Sequence, residues 1–137
     1  AFGRIFEKQS VTKSTSETIF TKLKSNNSLA HSRLKAEIFS ALGLRPDILI
    51  WNNPVGLFVP VNRKNGTPVK CGIQGQADIL ACVAPHGRLV GLEIKTGSGK
   101  QSEYQVNWQK ALENRGGIYG VCRSVKDALE IIEKAKL

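Results

Sequence analysis

The segments Gly75-Gln76-Ala77-Asp78-Ile79-Leu80 and Leu92-Glu93-Ile94-Lys95-Thr96 constrain this chain more than anything else in it. They predict strands over about Ala77–Ala84 and Arg88–Lys95, with a turn at Pro85-His86-Gly87 between them. The second strand therefore folds back on the first. Side chains on a strand alternate between faces, which places Glu93 and Lys95 on one side. The fold-back sets Asp78 near Glu93 across the pair. An unpaired carboxylate on an apolar strand is costly to bury. Asp78 therefore belongs at an exposed strand end, in a salt bridge or in a functional cluster. Taken singly, Glu93 also reads as a solvent-facing strand position and Lys95 as its ion-pair partner. Their coincidence favours the cluster.

Carboxylate oxygens are hard ligands suited to Mg²⁺ or Mn²⁺. Asp78 and Glu93, helped by the main-chain carbonyl of Ile94, would hold such an ion. Lys95 would orient an attacking water or stabilise charge growing on a phosphate.

The rest of the chain supplies a frame for this pair. Ser14-Thr15-Ser16-Glu17 reads as a capping box, with Ile19, Phe20 and Leu23 as a short apolar stripe ended by Asn26-Asn27-Ser28. A second helix runs from about Leu29 to Leu42, where Leu34, Ile38 and Leu42 recur every four residues before Gly43. Ile48–Trp51 reads as a strand. Asn65-Gly66, between β-prone runs from Leu57 to Ile73, predicts a hairpin. After a flexible loop at Thr96–Lys100, a helix is expected from about Glu103 to Asn114, then a strand at Ile118–Cys122. Ser124 caps a last helix with Val125, Ala128, Leu129 and Ile132 on its apolar face. Residues 1–28 thus form an N-terminal extension with a short helix, and 29–137 one domain. This order predicts an α/β fold with a central mixed β-sheet flanked by helices.

Charge narrows the partner. Twenty basic residues against eleven acidic ones give a net charge of +9, which favours a polyanion. An acidic metal-type cluster inside a basic domain suits chemistry on phosphodiesters. Arg63, Lys64 and Lys70 are candidates for phosphate contacts, though a solvated charged tip explains them equally well; Lys100, Lys110 and Arg88 are candidates for backbone contacts, with a solvated surface the favoured reading. No basic amphipathic helix with exposed aromatics points to a membrane surface, and no apolar run is long enough to cross one. Ala1-Phe2-Gly3-Arg4 lacks the apolar block of a secretion signal. Cys71, Cys82 and Cys122 are odd in number and widely spaced. A reducing, cytoplasmic setting with buried thiols is expected, in a viral or bacterial host cell among others.

Other chemistries find little support. Gly97-Ser98-Gly99-Lys100 lacks the Ser/Thr and the upstream glycine of a phosphate-binding loop. His31 and His86 are isolated, against zinc. Three cysteines fall short of the four that an iron–sulfur cluster takes.

The ordered set Gly75-Gln76-Ala77-Asp78, Glu93-Ile94-Lys95-Thr96 and Gln105 resembles the PD-(D/E)XK nuclease superfamily. Within it, the chain is most similar to the virus-type replication-repair nuclease (VRR-NUC) domain. Trp51-Asn52-Asn53 with Gly56, Gly116-Gly117, and Arg123-Ser124-Val125-Lys126-Asp127-Ala128-Leu129 extend the likeness over roughly Ser32 to Ile132. Ala77 departs from the proline often found before the aspartate, a position that supplies rigidity and no ligand. The resemblance implies a restriction-endonuclease-like core of αβββαβ order and a Mg²⁺- or Mn²⁺-dependent, phage-like endodeoxyribonuclease of repair or recombination. It also implies branched or Holliday-junction DNA as substrate and a homodimer as the working form. It gives Glu37 a place near the metal, where the sequence equally allows a surface helix residue. It turns Gln105 towards the water or phosphate, whereas Ser102-Glu103-Tyr104-Gln105 alone reads as a capping box. Tyr104 and Trp108 are expected in the core. A non-catalytic nucleic-acid-binding module of the same fold is the alternative, and RNA as substrate stays open.

Overall fold

The computed structural model describes residues 26–61 and 65–137. The Ser14 capping box, Arg63 and Lys64 lie outside these residues. The first described element is helix α1, residues 26–43. Asn26-Asn27-Ser28, expected to end a helix, are helical here and continue into the apolar stripe of α1. Strands β1 (Ile48–Asn52), β2 (Gly56–Phe58), β3 (Val69–Cys71), β4 (Ile79–Val83) and β5 (Arg88–Ile94) follow. Helix α2 (Glu103–Glu113), strand β6 (Ile118–Cys122) and helix α3 (Val125–Ala135) complete the chain.

The main sheet has the order β1-β4-β5-β6. The first three strands are antiparallel neighbours and β6 lies parallel to β5. A parallel neighbour needs a crossover, and α2 provides it. The result is a mixed sheet between helices, in the expected αβββαβ order.

Strand alternation sorts the two faces. Ile79, Ala81 and Val83 of β4 and Val90, Leu92 and Ile94 of β5 form a buried layer with Ile38 and Leu42 of α1 and Ala128, Ile131, Ile132 and Ala135 of α3. The opposite face carries Ala77, Leu80 and Tyr119 against Leu112 and Trp108 of α2. Gly91 sits on that face for lack of room. A Cβ there would lie 2.7 Å from Trp108 Cζ3 and 3.2 Å from the Ala77 Cβ. Trp108 fills the space and meets Tyr119 edge-on, with centroids 5.9 Å apart. Tyr104 departs from expectation: it is 57% exposed.

The hairpin expected around Asn65-Gly66 forms between β2 and β3. Phe58 pairs with Val69 and Gly56 with Cys71. Pro68, next to Val69, and Pro60 lack the N–H that would extend the ladder. Cys122 is fully buried, which pushes its thiol up to about 12; Cys71 and Cys82 are half-buried, and all three are free.

An ion network ties the ends of the domain. Arg45 grips Asp47 with two bonds (3.0 and 2.7 Å), and Lys136 reaches Asp47 (2.8 Å) and Glu133 (3.1 Å). The Arg45 and Lys136 contacts hold the Asp47 carboxyl well below its ordinary value of 3.8. A lowered acid contributes stability that is fully present above its unfolded value and lost as pH falls towards the folded one. Asp47→Asn should therefore lower the melting temperature near neutral pH, and the gap to wild type should narrow from about pH 5 downwards. Thermal melts across that range check this. An unchanging gap would mean that the charge network contributes nothing.

Candidate active site

The site lies on the α2 face of the sheet, where β4 begins and β5 ends. Ile79 pairs with Leu92 in the antiparallel register, so Asp78, one residue earlier, stands opposite Glu93. Glu93 is only 2% exposed, the one charged residue buried among those described. Its Oε2 is buried without a hydrogen-bond partner. Burial first, and then the charge of Asp78, raise its pKa above the ordinary 4.5, while Lys95 opposes the rise. A buried acid with one unpaired oxygen, faced by a second carboxylate, is an arrangement that a cation would relieve.

Three groups order this pair. Lys95 Nζ lies 3.0 Å from Glu93 Oε1 and donates to Gln105 Oε1 at 3.1 Å. Gln105 Nε2 donates to Glu93 Oε1. The same Gln105 Oε1 accepts from the Ser102 N–H (2.8 Å), and Ser102 Oγ accepts from the Gln105 N–H (3.3 Å). Capping and site contact, weighed as alternatives from sequence, therefore coexist in one side chain. An ammonium carries three donors, so after its two contacts Lys95 keeps one for another ligand.

Asp78 is fixed from both sides. Its Oδ2 accepts the Ile94 N–H at 2.9 Å, and His31 Nε2 of α1 lies 3.4 Å from the same oxygen. The Lys95 N–H donates to the Cys122 carbonyl on β6. Main-chain alternation then turns the N–H and carbonyl of Ile94 to the opposite side, towards Asp78. The loop before Asp78 is held by Asn53, whose Nδ2 donates to the Ala77 carbonyl (3.0 Å) and to Gln76 Oε1 (3.2 Å). Gln76 Oε1 also accepts the Ile73 N–H. Gly75 lets this loop touch the start of α2: its φ is +91°, and a Cβ would lie 2.3 Å from the Tyr104 carbonyl oxygen.

The structure brings Asp78, Glu93, Lys95, Gln105 and the Ile94 backbone together. It does not bring Glu37. Successive residues turn by about 100° on a helix, and Glu37 falls outside the stripe of Leu34, Ile38 and Leu42 and is exposed. His31 and Lys35, four residues apart, flank that stripe and take the place nearest Asp78. Their spacing beside the apolar positions was the available signal. Lys70, Lys100 and Lys110 are exposed, and none lines the cleft beside Asp78. That cleft, of about 350 Å³, is bounded by Lys35, Asn53, Phe58, Asp78, Tyr104 and Gln105, among others.

Among the described residues, no group of three or more His, Cys, Asp and Glu side chains gathers as a metal cage. Two carboxylates and a carbonyl nonetheless fit Mg²⁺, which keeps several waters and takes its remaining ligands from substrate phosphate. The unpartnered Glu93 oxygen agrees with that fit.

No family model matches the chain, and no curated protein matches it. A search of solved structures finds a VRR_NUC domain at 22% identity and a TM-score of 0.47, covering 76% of this chain and 95% of that one. Among the described residues, no helix is long and apolar enough to cross a membrane.

Proposed function

We propose that this chain is a metal-dependent endonuclease that hydrolyses DNA phosphodiester bonds, prefers branched DNA and works as a homodimer. The observation that carries this reading is buried Glu93, with one oxygen unpartnered, facing Asp78 and wired to Lys95 through Gln105. Asp78, Glu93 and the Ile94 carbonyl would hold Mg²⁺ or Mn²⁺, which when bound supplies Lewis-acid polarisation of a phosphate oxygen and a more acidic attacking water. Lys95 presents its remaining N–H to that water or to the phosphate oxygen on which charge develops. Gln105 holds Lys95 and Glu93 in one geometry, so neither has to reorganise during the reaction. The branched substrate and the dimer rest on the sequence resemblance. Two sites related by a twofold axis would cut two strands symmetrically.

Incubation with four-way junction, flap and linear duplex DNA tests the reading. Cleavage should appear with Mg²⁺ or Mn²⁺, vanish with chelator and favour the branched substrates. Binding without any cleavage would leave only a nucleic-acid-binding module. Light scattering on the protein–junction complex reads the number of copies bound.

Protonation also competes with the cation for Glu93. Because its pKa is raised above 4.5, cation affinity should fall as pH drops, beginning at a higher pH than an ordinary glutamate would show. Calorimetric titration at several pH values reads this directly. Affinity independent of pH would remove Glu93 from the ligand set.

A further inference from the structure

We propose that the cleft beside Asp78 seats one unpaired nucleotide of branched DNA, with its base stacked on Tyr104 and its phosphate met by Lys35. This inference rests on the nucleic-acid partner of the preceding reading and names which part of that partner the site selects. Tyr104 and Phe58 both line the cleft, and they remain 57% and 45% exposed. Trp108, one turn further along α2, shows the contrast: it is packed over Gly91 and against Tyr119. The backbone of Tyr104 is pinned against Gly75, so a residue lining the cleft stands on a fixed base. Every base has a face that stacks on an aromatic ring, and such stacking tolerates any sequence.

Charge and size agree with this occupant. Lys35 is the cationic residue lining the cleft, and it also lines the neighbouring cleft bounded by Ser32, Phe39 and Asn52. An ammonium shared between two adjoining clefts suits a phosphodiester passing from one to the other. About 350 Å³ lies at the small end of ligand pockets. That is room for a nucleotide, whereas a base inside a duplex has both faces stacked and cannot enter. Asp78 borders the same cleft, so the seated nucleotide would adjoin the phosphate presented to Lys95. Preference for branched DNA then follows from the unpaired nucleotide that a flap carries, or that opening of a base pair at the branch of a four-way junction would release.

The test places 2-aminopurine in turn at each nucleotide around the branch of a flap and a four-way junction and measures fluorescence on binding with chelator present. One position should be quenched by wild type and by Tyr104→Phe, and not by Tyr104→Ala. The preference for branched over fully paired DNA should narrow about tenfold in Tyr104→Ala. In Lys35→Ala, the dependence of log affinity on log salt should flatten by about 0.7. The inference is overturned if no position responds, or if Tyr104→Ala quenches like wild type. Binding is read apart from chemistry. Tyr104-dependent quenching without cleavage would sink the nuclease reading alone, and metal-dependent cleavage without quenching would sink the cleft alone.

Discussion

Asp78→Asn should give a folded protein that still binds junction DNA and cuts it on the order of 10²–10³ times more slowly, the size associated with losing one preorganised electrostatic partner. The substitution changes almost nothing but charge. An asparagine carbonyl can still accept the Ile94 N–H, which now donates to Asp78 at 2.9 Å. The Asn53 contacts to Gln76 and Ala77 are untouched. Stability should not fall. Burial raises the pKa of Glu93, and the charge of Asp78 raises it further. A raised acid holds its proton more tightly when folded, so its ionisation costs stability as pH rises past its unfolded value. Removing the Asp78 charge shrinks that loss. At neutral pH and without metal, Asp78→Asn should therefore melt no lower than wild type, while the rise in melting temperature on adding Mn²⁺ disappears. Cleavage rates and melts with and without Mn²⁺ read both effects. A variant that cuts like wild type would remove Asp78 from the chemistry.

Much of this site was legible because it depends on local rules. The turn at Pro85-His86-Gly87 fixes the register of β4 against β5, and alternation then decides which side chains share a face. Ser102 and Ser124 announced α2 and α3 through their capping oxygens, and both caps are formed. What stayed hidden depends on how α1 docks. Which flank of the apolar stripe faces the site is set by tertiary packing, so the spacing of His31 and Lys35 beside that stripe marked a flank without placing it at Asp78. The exposure of Tyr104 is of the same kind: an aromatic in a helix reads as core until tertiary packing decides which face is covered. Asn65-Gly66 between two β-prone runs announced the β2–β3 hairpin in the same local way as the caps, and the pair forms.

Gly75→Ala should be the most damaging small substitution in the domain. Two penalties coincide there. The residue has φ +91°, where a side chain is strained by about 1–3 kcal/mol. The new methyl would also lie 2.3 Å from the Tyr104 carbonyl oxygen and 2.4 Å from its carbon. Those are backbone atoms in the first turn of α2, so the clash cannot be relieved by rotating a side chain. The loop and the helix must part. A total of about 3 kcal/mol would lower the melting temperature by roughly 10 °C. Cleavage should fall with it even well below the melt, because the helix that moves carries Gln105, which holds Lys95 and Glu93 together. Gly97→Ala is the control. Its φ is +55°, yet a Cβ there meets nothing within 4 Å, so only about 1 kcal/mol of backbone strain is expected. Melts and single-turnover cleavage of the two variants side by side separate strain from displacement. If Gly75→Ala melts like Gly97→Ala and keeps its rate, the close seating of α2 against the Asp78 loop is not what sets this site.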